Sequence, residues 1–136
     1  MDNRGRLFER HGGLVRTSEL LAAGDEPEWI RISRNYGRLV HVRKEWWALP
    51  NTPETLLAAW RAGGRLACIS ALAFHGAMLE TGELLHVEVA ADSKGASSKN
   101  VVTHWSSDQR NGDRRAVGVE VALQQASRCR AANGTL

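Results

Sequence analysis

Arg31, Arg34 and Asn35 are the side chains of this sequence best suited to reading the edge of a DNA base. A guanidinium can donate two parallel hydrogen bonds to guanine, and a carboxamide pairs with adenine in the same bidentate way. On a helix the three fall away from Trp29, Ile32, Ser33 and Tyr36, whose i, i+3, i+4, i+7 spacing predicts one buried stripe. Just downstream, Arg38, His41, Arg43 and Lys44 lie on an alternating segment from which cations would neutralise phosphates or enter a flanking minor groove. Just upstream, Arg16, Thr17 and Ser18 open another helix, whose unpaired amides would attract an anion. The competing reading is that these cations only solvate a helix face and a ribbon.

Other chemistry fares less well. Cys68, Ser70 and His75 are close in sequence, but they lack an orienting acid and an oxyanion loop, so a hydrolase is not expected. His75 reads instead as a hydrogen-bonded core histidine. Ala62-Gly63-Gly64-Arg65 lacks the Gly-Lys-Ser/Thr ending of a phosphate loop. The five histidines (His11, His41, His75, His86, His104) show no short metal-ligand spacing, and Cys68 and Cys129 are too far apart for a metal clamp or a disulfide framework. The expectation is therefore a non-enzyme without cofactor or metal, with reduced, part-buried thiols in the cytoplasm. Of the adjacent Trp46 and Trp47, a strand must point one inward, where it packs a core.

Charge supports the location of the activity more than its kind. The net charge is +3 over 136 residues, which permits a nucleic-acid partner without demanding one. Between Glu28 and Lys44, five basic residues face one acid, while the rest of the chain has thirteen basic residues against fourteen acids. No apolar run approaches the roughly 20 residues of a membrane span, and the polar start is not a secretory signal.

The elements that must position these residues announce themselves by punctuation. A helix is expected from Asn3 to about Arg10, stopped by Gly12-Gly13, with a very short strand at Leu14-Val15. Thr17 reads as the cap of a second helix ending at Gly24. Asp25 or Glu26 would cap a third, with Pro27 in its first turn and Gly37 closing it. Arg38 to Arg43 and Trp46 to Leu49 then form a hairpin through Lys44-Glu45. This order predicts an α+β protein: an N-terminal winged helix-turn-helix over residues 1–50, a small mixed α/β domain over 51–130, and a frayed tail at 131–136. In the second part, helices are expected from Pro53 to Gly63, Leu66 to Ala77 and Ala122 to Cys129. Strands are expected at Leu85–Ala90, Val101–Trp105 and Val117–Val121. The charge there is nearly balanced, which suits support or protein contact. Lys94, Lys99, Arg110, Arg114 and Arg115 remain as further phosphate-reaching candidates.

The run HGGLVRTSELLAAG followed by EWIRISRNYGRLVHVRKEWWALP resembles the N-terminal winged-helix domain of AbiEi-type antitoxins and related regulators. Gly13, Leu14, Leu20, Gly24, Ile30, Gly37, Leu39, Val42, Trp47 and Ala48 take the family's places, and Ser70, His75 and Gly76 match a later element. Where the family's wing turn has a glycine, this chain has Glu45. Larger relatives continue into a toxin-neutralising or nuclease region that the sequence does not include, so no nuclease activity is expected. The resemblance implies a sequence-specific repressor of double-stranded DNA acting at a promoter, in the manner of a phage immunity repressor. The alternative it implies is an antitoxin that binds a toxin protein and regulates its own operon. A palindromic operator would need a homodimer with half-sites about one helical turn apart.

Overall fold

The computed structural model describes residues 3–77, 84–95, 100–106 and 111–129. The chain is mixed α+β, with six helices and two three-stranded sheets among the described residues, and divides into two compact units, Met1–Leu57 and Ala58–Leu136. The expected frayed tail, Lys99 and Arg110 lie outside the described residues. Among the described residues no helix is long and apolar enough to cross a membrane.

The first unit runs α1 (Asn3–Arg10), β1 (Val15–Arg16), α2 (Thr17–Ala22), α3 (Pro27–Asn35), β2 (Val40–Arg43) and β3 (Trp46–Ala48). Its sheet has the order β1-β3-β2, antiparallel throughout, with Val15 opposite Trp47 and Val40 opposite Ala48. Leu7, Phe8, Val15, Leu20, Ile30, Leu39 and Trp47 form one buried cluster, to which every element of the unit but β2 contributes a side chain, Leu39 standing just before β2. Gly24 and Gly37 adopt φ of +100° and +73°, ending α2 and α3 as left-handed residues, as the punctuation predicts. Glu45 takes the hairpin turn at φ +70°, a conformation that glycine adopts at no steric cost.

Three local expectations are corrected. Arg16, not Thr17, is the residue before α2; its backbone N–H donates to Glu19 Oε1 at 2.8 Å, while Thr17 Oγ1 accepts the Trp47 indole N–H at 2.8 Å. Neither Asp25 nor Glu26 caps α3 with its side chain, because the Asp25 carboxylate is committed to Arg4, whose Nη2 lies 2.6 Å away and whose Nη1 donates to Ser33. The buried stripe of α3 is Ile30 and Ser33, whereas Trp29 and Tyr36 are 58% and 79% exposed. At 100° per residue, Trp29, Ile32 and Tyr36 share a flank turned away from Ile30 and Ser33.

The second unit contains the end of α4 (Glu54–Arg61), then β4 (Arg65–Leu66), α5 (Cys68–Phe74), β5 (Leu85–Ala90), β6 (Val101–Ser106) and α6 (Val119–Arg128). β5 is central, antiparallel to β4 and parallel to β6, with Glu88 opposite both Arg65 and His104. Trp60, Leu66, Ala71, Val87, Val89, Val117 and Ala122 are buried, and the Trp60 indole donates to Arg114 O at 2.9 Å. Two expectations fail here. The apolar run from Leu66 does not begin as helix: Arg65 and Leu66 pair with β5, and α5 starts only at Cys68. Nor is Val117–Val121 a strand, since Leu66 pairs with Ala116 through a single bridge and α6 begins at Val119. Gly64 permits the first of these. A Cβ there would lie 2.0 Å from Glu88 O and 2.7 Å from Val87 Cγ1, so only glycine lets β4 approach β5.

Candidate nucleic-acid interface and a second polar cluster

In the first unit Arg31, Arg34 and Asn35 are exposed on α3, with Arg31 3.5 Å from Glu28 in an equally exposed i, i+3 pair. Such a surface pair contributes at most about 0.5 kcal/mol and yields readily to a better partner. By helical angle Arg31 and Asn35 sit on the outermost line of α3 and Arg34 on the flank opposite Trp29. Ser18, Arg38 and Lys44 are exposed as well. His41 is half-buried against Trp47, ring centroids 4.9 Å apart, and Thr17 is occupied as the Trp47 acceptor; both therefore act first in packing.

The sheet register produces an arrangement that sequence spacing does not disclose. Trp46 stands opposite Arg16 on β1 and opposite Arg43 on β2. Both guanidinium carbons lie over its ring, at 4.7 Å for Arg16 and 5.7 Å for Arg43. An indole face attracts a cation, and two cations on one ring also repel each other. Arg43 shows the consequence: burial, and then the charge of Arg16, lower its pKa from the ordinary arginine value. Two like charges held together on exposed side chains make a site whose energy falls when an anion arrives. Trp46 is thus the half-buried partner of the tryptophan pair and Trp47 the buried one, on opposite faces by strand alternation.

The second unit holds a polar centre. Arg65 donates from Nε and Nη2 to Glu88 Oε1 at 3.2 and 2.9 Å, and from Nη1 to the carbonyls of Asn111 and Asp113. Glu88, fully buried, accepts from Gln125 Nε2 at 3.0 Å, and Gln125 Oε1 accepts the backbone N–H of Cys68 at 2.9 Å. Cys68 has φ +53°, uncommon for a residue with a side chain.

Beside this network Cys68, His86, His104 and Cys129 converge, with one potential ligand atom from each lying within 4.8 Å of all the others. This convergence bears on the expectation of no metal-ligand set. That expectation rested on short spacing, whereas these donors come from the start of α5, from β5, from β6 and from the end of α6. His86 Nδ1 is 3.2 Å from His104 Nε2 and 3.8 Å from Cys129 Sγ, and His86 Nε2 is buried with no hydrogen-bond partner among the described residues. Burial, then the neighbouring His104, pushes the His86 pKa down to about 4. Burial lowers that of His104 as well, against the opposing charge of Glu88. Burial pushes the Cys68 thiol up to about 12, and Cys129 adds to the effect. Both thiols are free, Cys68 buried and Cys129 partly exposed. His75 ends α5, with Nε2 2.7 Å from Val117 O, and takes no part in the cluster. The one signal in the sequence was alternation: within LHVEVA and VVTHW a histidine falls on the same strand face as Glu88 and as Val102, respectively. No protein-family model and no curated protein matches the chain.

Proposed function

We propose that this chain is a sequence-specific double-stranded DNA-binding repressor, acting sterically at an operator through residues 1–57. The order α1-β1-α2-α3-β2-β3, with β1 joined to β3, is the connectivity that a winged helix-turn-helix requires, and α3 is then the recognition helix. In this reading Arg31, Arg34 and Asn35 address base edges, and Arg16, Arg43, Arg38 and Lys44 address phosphates. Kinship with AbiEi-type regulators and a cytoplasmic setting belong to the same proposal. The observation that carries it is the Arg16–Trp46–Arg43 stack, two mutually repelling guanidiniums on one ring that an inserted phosphate would neutralise. The test is a mobility-shift titration on the DNA upstream of the coding sequence, with scrambled DNA of equal length as competitor. Selective binding that weakens steeply with salt supports the reading, and equal displacement by scrambled DNA refutes it.

One observation favours a second reading, an antitoxin whose main partner is a toxin protein. The exposed Trp29 and Tyr36 form an aromatic flank of the kind enriched at protein interfaces. Under that reading Trp29→Ala with Tyr36→Ala abolishes co-purification with the toxin while leaving operator affinity unchanged.

A further inference from the structure

Cys68, His86, His104 and Cys129 are separated by 18 residues or more in sequence, yet the second unit gathers them at one point behind its sheet. We propose that these four residues form a tetrahedral site for a thiolate-preferring divalent metal ion, zinc, which ties α5, β5, β6 and α6 together. The inference is independent of DNA binding, since it concerns residues 58–136 only.

The geometry supports it first. With Zn–N near 2.0–2.1 Å and Zn–S near 2.3 Å, a tetrahedron has N···N, N···S and S···S edges of about 3.3, 3.6 and 3.8 Å. The His86–His104 separation of 3.2 Å and the Cys129–His86 separation of 3.8 Å already match the first two. No donor pair exceeds 4.8 Å, so side-chain rotations of about 1 Å complete the shell. The chemistry of the donors supports it second. Two thiolates with two neutral imidazoles are a common structural zinc set, whereas magnesium and calcium demand oxygen. On binding, each thiol gives up its proton to solvent, and two thiolates cancel the charge of the ion, which suits a buried position. Glu88 lies close but is already bound by Arg65 and Gln125, so it is left outside the shell.

The surroundings supply the third argument. Without an ion, His86 Nδ1 and His104 Nε2 share a single hydrogen bond, whereas an ion accepts a lone pair from each. A core that served packing alone would carry an apolar residue there. Gln125 fixes the backbone of Cys68 from behind, the kind of outer support that metal ligands receive. His86 departs from that pattern, because its far nitrogen meets no acceptor. Four protein ligands leave no open coordination position, so the role is structural, although a cleft of about 450 Å³ lined by His104, Gln125 and Cys129 gives the ion a path in.

The test uses the untagged full chain, purified reduced from zinc-supplemented medium, with bound metal measured by mass spectrometry after gel filtration. The expected result is one zinc per chain. Replacing it with Co(II) should give the intense visible bands of a tetrahedral ion and a thiolate-to-metal charge-transfer band in the near ultraviolet. Cys129→Ser is the first variant, because Cys129 is partly exposed at a helix end and its loss spares the core; it should halve the charge-transfer band. Cys129→Ser with His104→Asn should abolish stoichiometric binding while circular dichroism retains the helical signal. The proposal is overturned if the wild type holds no zinc or cobalt, if the cobalt spectrum is octahedral and free of charge transfer, or if the double variant still binds one equivalent. A Cys68–Cys129 disulfide recovered in place of metal under reducing, zinc-supplemented conditions overturns it as well.

Discussion

Replacing Arg16 and Arg43 by glutamine should change how DNA affinity depends on salt, and by an amount that the stack on Trp46 predicts. Each phosphate neutralised on B-DNA contributes about 0.9 to the slope of log K against log salt. If both guanidiniums meet phosphates, the double variant loses about 1.8 from that slope. Between about 50 and about 200 mM salt the wild type should therefore weaken roughly twelvefold more than the variant does. Both side chains are exposed, and each surface cation–π contact contributes only about 0.5–1 kcal/mol, so the fold should survive. Trp46→Leu provides the internal control: it leaves both charges but removes the ring that gathers them. Affinity should then fall while most of the slope remains. The assay is fluorescence anisotropy with a labelled operator duplex at five or more salt concentrations. A double variant whose slope lies within error of wild type would show that the stack meets no phosphate, and the proposed docking would lose its main support.

Three further outcomes are expected. Arg34→Ala should cost about 1–3 kcal/mol in operator affinity while leaving affinity for scrambled DNA within about twofold, read in the same anisotropy assay. Gly64→Ala should destabilise the protein by about 1–3 kcal/mol or more in urea unfolding, because its Cβ would meet the Glu88 carbonyl at 2.0 Å and backbone cannot easily retreat. Arg65→Met should lower stability by about 3–5 kcal/mol, since it strands the fully buried Glu88 carboxylate; Arg65→Met with Glu88→Leu should recover much of the loss in thermal unfolding.

Punctuation carried most of what the sequence disclosed about the first unit. Gly24 and Gly37 end helices because they can adopt the left-handed conformation, and Pro27 starts one because its missing N–H is not needed there. Those are local facts, and local facts survive folding. The failures are tertiary. Asp25 looked like a cap until Arg4, 21 residues away, claimed its carboxylate. The stripe on α3 is right at Ser33 but wrong at Trp29 and Tyr36, which are large and apolar by type yet exposed, while Ile30 takes the core position. In the second unit the apolar run around Leu66 satisfies strand and helix alike, and the choice rests on whether β5 is near enough to pair. The outward position of Arg31 and Asn35 was readable from helical spacing; the meeting of Arg16 and Arg43 was not. It depends on both strands pairing with β3 in the register that brings Trp46 opposite each.

The size of the second unit explains why its centre holds polar groups at all. Its sheet is three strands, of which β4 contributes two residues, and α5 is seven residues long. A unit this small buries a limited apolar core, and domains below about 80 residues commonly need a further constraint such as a metal or disulfides. The interior here spends positions on Arg65, His86 and Glu88, each of which would be a liability if unpaired. Arg65 and Glu88 answer each other, and Gln125 passes the constraint to the backbone of Cys68. Among the described residues His86 stays incompletely satisfied at Nε2, and it lies beside the other three donors. The same logic separates the two possible roles of that cluster: a network of neutral side chains would leave stability indifferent to a chelator, whereas an ion binding only the native state adds stability that chelation removes.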